Sequence, residues 1–138
     1  MLAVCIFTAG AMVTLPVESF TLAWVHSIEK VRWEEDYRIV GSQLEAVTAR
    51  IKGSAAGMEP PAGAVLKDGW WHYRPALTRH DELRLTRSAF TADYQLCTAG
   101  TCRSLAEIAP QAEGVTRLAA CDPLTTAPRP ARDRKSVV

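Results

Sequence analysis

The sequence predicts an all-β fold, a small antiparallel barrel or sandwich of about eight short strands with one short helical turn. Three observations carry this expectation. Apolar and polar side chains alternate with a period of two through most of Phe20 to Ile51. Glycine, proline and serine recur between short apolar runs, so turns punctuate the chain. The 138 residues are 48% apolar and 22% charged, which suits one globular domain and would leave two with little core each.

The elements follow in order. The first 17 residues are apolar apart from Thr8 and Thr14. They lack the basic start of an export signal, and Pro16 and Glu18 end them short of the ~20 residues a membrane helix needs. β-Branched residues with Gly10 and Pro16 predict strands over Leu2–Phe7 and Met12–Leu15, joined by a turn at Thr8–Ala11. No transmembrane segment and no export signal are therefore expected. The cytoplasm is the default location, with a periplasmic or membrane-associated one open if the chain starts downstream of its true beginning.

Phe20, Leu22, Trp24, His26 and Ile28 form one apolar set, and Val31, Trp33, Tyr37 and Ile39 the next. A turn around Ser27–Lys30 pairs the two runs, and an even-numbered loop keeps both sets on one face. Gly41-Ser42-Gln43 turns the chain into a strand over Leu44–Ile51, and Gly53 to Gly63 reads as a loop. Further strands are expected at Gly69–Arg74, ended by Pro75, and at Glu82–Arg87. Tyr94–Cys97 and Cys102–Leu105 make a hairpin. Ser104 to Glu107 has capping-box spacing, which predicts a helical turn before Pro110. Residues 1–121 form the domain, and 122–138, with three prolines and no aromatic ring, a disordered Pro/Arg-rich tail.

Charge excludes one class of partner. Of 16 basic and 15 acidic residues, four and two lie in the tail, leaving 12 and 13 in the domain. A neutral domain gives no case for nucleic acid. Cys97 and Cys102 flank a four-residue loop containing Gly100, so a hairpin brings them opposite each other and a disulfide is sterically open. Cys5 and Cys121 read as buried free thiols, and no C-x-x-C pair supports a zinc site. His72 and His80 have no carboxylate at ligand spacing. No metal and no cofactor are expected.

Two polar residues interrupt apolar faces, His26 and Glu35. With a two-residue turn at Glu29-Lys30, His26 sits opposite Trp33 and Trp24 opposite Glu35, which makes His26 and Glu35 diagonal neighbours about 7–8 Å apart. Such a pair has coupled titration, as functional sites often do. The blander reading, a hydrogen-bonded pair that pins the hairpin, is favoured because buried charge rarely stands alone. Lys30 and Arg50 are the other donors in range of Glu35. A hydrolase built on His26-Ser27 is excluded, since neighbours on a strand face opposite ways. No catalytic residue is assigned. In Trp70-Trp71-His72-Tyr73, Trp70 and His72 face one way and Trp71 and Tyr73 the other, so one face is core, and the other is either a binding surface for a ligand or protein or covered in turn by a closed barrel.

These residues carry a resemblance. Phe20 through Lys30 with Trp33-Glu34-Glu35 and Tyr37, then Gly53 through Pro61, then Asp68-Gly69-Trp70-Trp71, resemble the bacterial domain-of-unknown-function family 1850. Leu96-Cys97 through Cys102 is similar to that family's C-terminal hairpin, and the likeness covers roughly residues 2 to 108. Ala55 departs from the glycine expected in the family's loop, which weakens any anion site there. Members are often encoded beside TRAP-type transporter permeases, particularly the TAXI subfamily. The resemblance therefore implies an accessory or ligand-binding protein whose partner is a transporter component or a small organic anion. Two rivals stand beside it: a small enzyme using His26 and Glu35 as acid and base, and a purely structural interaction domain.

Overall fold

A computed structural model of the chain describes residues 2–25, 30–53 and 61–122. The described residues form twelve strands in two antiparallel sheets and one short helix. The smaller sheet has the order β2-β1-β12-β9, from β1 (Ala3–Phe7), β2 (Met12–Leu15), β9 (Leu83–Arg87) and β12 (Gly114–Cys121). The larger has the order β11-β10-β3-β4-β5-β7-β6, with β8 (Arg79–His80) pairing β5 off that path. Its strands are β3 (Ser19–Val25), β4 (Arg32–Val40), β5 (Gln43–Lys52), β6 (Val65–Lys67), β7 (Trp70–Tyr73), β10 (Gln95–Thr98) and β11 (Thr101–Ser104). Helix α1 is Leu105–Ile108, and the Ser104 hydroxyl accepts from the Ala106 N–H at 3.1 Å, as the capping spacing predicts.

The sheets pack face to face over one core. Val4 and Ile6 from β1, Leu83 and Leu85 from β9 and Leu118 and Ala120 from β12 meet Phe20, Leu22, Tyr37, Leu44, Ala46 and Leu96 from the larger sheet. Ile6, Leu44, Leu105 and Leu118 are fully buried, each worth about 1.5–3 kcal/mol relative to exposure. The apolar start of the chain is thus used as β1 and β2. At the β6–β7 and β10–β11 turns, Asp68-Gly69 and Ala99-Gly100 both take positive φ, the geometry that matches the twist of a two-residue hairpin.

Several expectations are corrected. The β3–β4 hairpin forms with both apolar sets on one face, but Trp24 lies opposite Trp33 and Leu22 opposite Glu35. Val25 lies opposite Arg32, where a turn at Glu29-Lys30 would set it opposite Glu34, so the register is shifted by two residues, and parity survives because that shift is even. The turn at Ser27–Lys30, most of the Gly53–Gly63 loop and the tail beyond Asp122 lie largely outside the described residues. In β5, Asp36 pairs Thr48 while Tyr37 pairs Ala46, so Val47 is an extra residue. That bulge switches the phase of the strand, and Leu44, Ala46, Ala49 and Ile51 are all buried as a result.

Cys5 and Cys121 are bonded to each other, with Cα atoms 5.9 Å apart, and are not free thiols. The pairing of β1 with β12 places Ala3 opposite Cys121 and Cys5 opposite Ala119, which leaves the two cysteines diagonal on one face. Sequence reading missed this because it did not foresee β12 as the partner of β1.

Arg87 is buried at the end of β9. Its guanidinium donates to both carboxylate oxygens of Asp93 at 2.8 and 3.1 Å, to the Ala109 carbonyl at 2.7 Å and to the Thr116 hydroxyl at 3.0 Å. One side chain thereby ties β9, the following loop, the end of α1 and β12.

Candidate functional site

The inner face of the larger sheet carries a ladder of rings broken by one acid. Across β10, β3, β4, β5 and β7 the register sets Leu96, Leu22, Glu35, Ala49 and Tyr73 in one row. The next row holds Trp24, Trp33, Ile51, Trp71 and, on β6, Leu66. Glu35 therefore projects from the core-facing side of the sheet, between aliphatic neighbours, as its spacing from Trp33 and Tyr37 predicts.

Its donor is Tyr37, two residues along the same strand face. The Tyr37 hydroxyl donates to the Glu35 carboxylate at 2.5 Å. Tyr37 is 4% exposed, stacks on Phe20 at 5.4 Å between centroids and meets the His80 ring edge-on at 6.0 Å. Burial first, then the hydrogen bond to and the charge of Glu35, push the phenol far above its ordinary pKa, so it remains a donor at any physiological pH. Tyr73 is pushed up the same way, by burial and then by Glu35. His26 lies outside the described residues. Arg50, an expected donor, points to the other face of the sheet and binds Glu34 at 2.7 Å and Asp36 at 2.8 Å. Among the described residues no cation reaches Glu35.

Above this acid lies a cleft of about 470 Å³ between the two sheets. Its walls include Trp24, Glu35, Tyr37, His80 and Tyr94, with Glu82 and Arg84 from the β9 side. Trp24 stacks on Trp33 at 6.0 Å and lies 6.2 Å from Tyr94 at a tilt of 54°. Glu82 is occupied by Arg84 at 3.1 Å and Arg117 at 2.9 Å. Glu35 is thus the carboxylate the cleft presents with no ion pair among the described residues. Of the expected site residues, Trp24 and Glu35 line the cleft and Trp33 backs Trp24. Trp71 lies in the same inner row, opposite Ile51, while Trp70 sits outside, with the Lys52 ammonium 5.2 Å from its ring. Sequence reading weighed His80 only as a metal ligand and Tyr94 only as the start of a strand, not as site residues. His80 lies on a two-residue strand and Tyr94 just before a hairpin, so neither falls in a periodic run.

The outer face is a charge ladder. Arg32 binds Glu34, Arg50 bridges Glu34 and Asp36, and Asp36 also accepts from the Thr21 hydroxyl at 2.6 Å. Burial alone would raise the Asp36 pKa, but Arg50 and Thr21 outweigh it and hold the carboxyl below its usual range. On the same face Cys97 and Cys102, opposite each other on β10 and β11, are bonded, with Cα atoms 3.9 Å apart and so inside the roughly 7 Å limit for a bridge.

A family described as domain of unknown function (DUF1850) matches residues 20–105. No curated protein and no solved structure matches the chain.

Proposed function

The chain belongs to the DUF1850 family, and from that premise we propose that it is a non-enzymatic ligand-binding domain that works as an accessory of a TRAP-type organic-anion uptake system. The cleft of about 470 Å³ with Glu35 in its lining is the observation that carries the binding reading. Concave sites walled by rings with a few polar groups are where small molecules bind. The rival reading, a small enzyme with His26 and Glu35 as acid and base, rests on His26, which lies outside the described residues. The accessory role rests on the family resemblance and not on the residues.

The sign of charge narrows the ligand. A carboxylate entering beside Glu35 would face a like charge, and the Arg84 guanidinium in the cleft wall is already engaged by Glu82 at 3.1 Å. An ammonium group would be attracted both by Glu35 and by the faces of Trp24 and Tyr94. The transported anion therefore belongs to the uptake system, and the cleft of this domain takes an amine-bearing group of a ligand or of the transporter. Two bonded cysteine pairs support an oxidising location such as the periplasm, in place of the default expectation of the cytoplasm.

The test is calorimetry with tryptophan fluorescence, titrating an arylalkylamine, a quaternary ammonium and the matching carboxylate into the full chain. The amines should saturate and the carboxylate should not, with Trp24→Ala and Glu35→Gln each removing the response. Equal binding of the carboxylate, or an amine response that survives both variants, would refute the site. For the accessory role, the chain should copurify with the TRAP-type permease of its host membranes. Recovery of the chain without any permease subunit would refute that role.

A further inference from the structure

We propose that the Cys97–Cys102 disulfide is an exchange site for a protein dithiol, while Cys5–Cys121 is a fixed brace. The two bonds differ in exposure and in their place in the sheets. Cys5, 3% exposed, and Cys121, half-buried, join β1 to β12, the two inner strands of the smaller sheet, so neither end of that bond is exposed. Cys97 and Cys102 close the hairpin of β10 and β11 at the edge of the larger sheet, where Cys102 is exposed and Cys97 partly so.

A cation is aimed at the edge bond. The Arg32 guanidinium lies 3.9 Å from the Cys102 sulfur and 4.0 Å from the Cys97 sulfur through one Nη2. Its other nitrogens are held, Nη1 by the Gln95 side-chain carbonyl at 2.8 Å and Nε by Glu34 at 2.6 Å. Glu34 takes part of that charge but is itself shared with Arg50. The guanidinium is therefore positioned over the sulfurs with little freedom to leave. Reactive cysteines sit in partly exposed, electropositive places of this kind, because a thiolate is the species that must be stabilised.

The reaction balances with a dithiol as the named co-reactant. One thiolate of the partner attacks the exposed Cys102 sulfur. The Cys97–Cys102 bond breaks, its electron pair leaves as the Cys97 thiolate beside Arg32, and a mixed disulfide forms at Cys102. The partner's second thiolate then attacks its own sulfur in that mixed disulfide and releases the Cys102 thiolate. The partner is oxidised by two electrons, the hairpin is reduced by two, and the partner's two thiol protons pass to the two cysteines.

The experiment needs no knowledge of the cleft and uses the intact oxidised chain. A reduced C-x-x-C protein, and dithiothreitol in parallel, are added under native conditions, and alkylated cysteines are counted by mass spectrometry over time. Cys97 and Cys102 should open at least about tenfold faster than Cys5 and Cys121, since exposed bonds are the labile ones. Arg32→Gln should slow the opening about threefold or more, because each unit of thiol pKa changes exchange rates by about that factor. Arg32→Lys should restore most of the rate. Simultaneous opening of both bonds in the unmodified protein would overturn the proposal. So would an unchanged or faster rate in Arg32→Gln, which would make Arg32 irrelevant or a shield.

Discussion

Removing a single oxygen atom, in Tyr37→Phe, tests whether Glu35 is held by the fold or held out to a ligand. The ring keeps its stack on Phe20 and its edge contact with His80, so packing is conserved and the hydrogen bond to Glu35 is what disappears. A hydrogen bond to a charged group contributes about 1.5–3 kcal/mol net. The donor is buried, but the acceptor opens on the cleft, where water replaces the lost hydroxyl. The expected loss is therefore about 1–2 kcal/mol, toward the low end of that range. For a domain of this size that lowers the melting temperature by about 4–8 °C. Glu35→Ala should cost a similar amount, because it strands the buried phenol instead. The double variant should cost little more than either single one, leaving a coupling of about 1–2 kcal/mol in a urea-unfolding cycle under oxidising conditions. Glu35→Gln keeps an acceptor for Tyr37 and should lose less than about 1 kcal/mol while losing amine binding. Additive costs for Tyr37→Phe and Glu35→Ala, within about 0.3–0.5 kcal/mol, would refute the pairing on which this reasoning rests.

Three other perturbations have definite outcomes. Arg87→Ala leaves Asp93, the Ala109 carbonyl and Thr116 without their donor and should destabilise by about 3–5 kcal/mol, whereas Arg87→Met with Asp93→Leu should recover much of that; a single variant as stable as the parent would sink the expectation. Asp36 has a folded pKa below its ordinary 3.8, so its contribution is complete above that value and lost as pH falls through the folded one. Urea midpoints of the parent and Asp36→Asn should therefore differ near neutrality and converge in acid, and a gap independent of pH would contradict the charge ladder. Opening Cys5–Cys121 by Cys→Ala at both ends releases a loop closed over 116 positions and should cost about 4–5 kcal/mol, against about 2 for the five-residue separation of Cys97–Cys102; equal shifts in denaturant midpoint would contradict the ranking.

The fold was legible where a strand has one wet face. β3 and β4 alternate because their outer side chains meet solvent and charge, and the expected hairpin forms. β12 was invisible for the opposite reason. Its buried residues, Thr116, Leu118, Ala119 and Ala120, fall on both faces, so no period of two survives in Gly114–Cys121. Without β12, Cys121 had no strand to bring it to Cys5, and two bonded residues read as separate buried thiols. The three-residue β6 and two-residue β8 fail for want of length, since a period cannot be read from so few positions.

The site divides along the same line. Parity alone placed Glu35 on the inner face and separated Trp71 from Trp70, because those statements need only the pleat. The expected partner His26 lies outside the described residues, and the register assumed for it, from a turn at Glu29-Lys30, differs by two residues from the one that sets Trp24 opposite Trp33. Tyr37 is a donor the sequence also offered: two residues along the same face it needs no loop geometry, and a tyrosine can bury its ring while its hydroxyl serves an acid. His80 and Tyr94 belong to the cleft only because β8 pairs β5 and β10 pairs β3, both tertiary facts. What a sequence of this kind reveals about chemistry is therefore the acid that breaks an apolar face, and what it withholds is the set of rings the folded chain gathers around that acid.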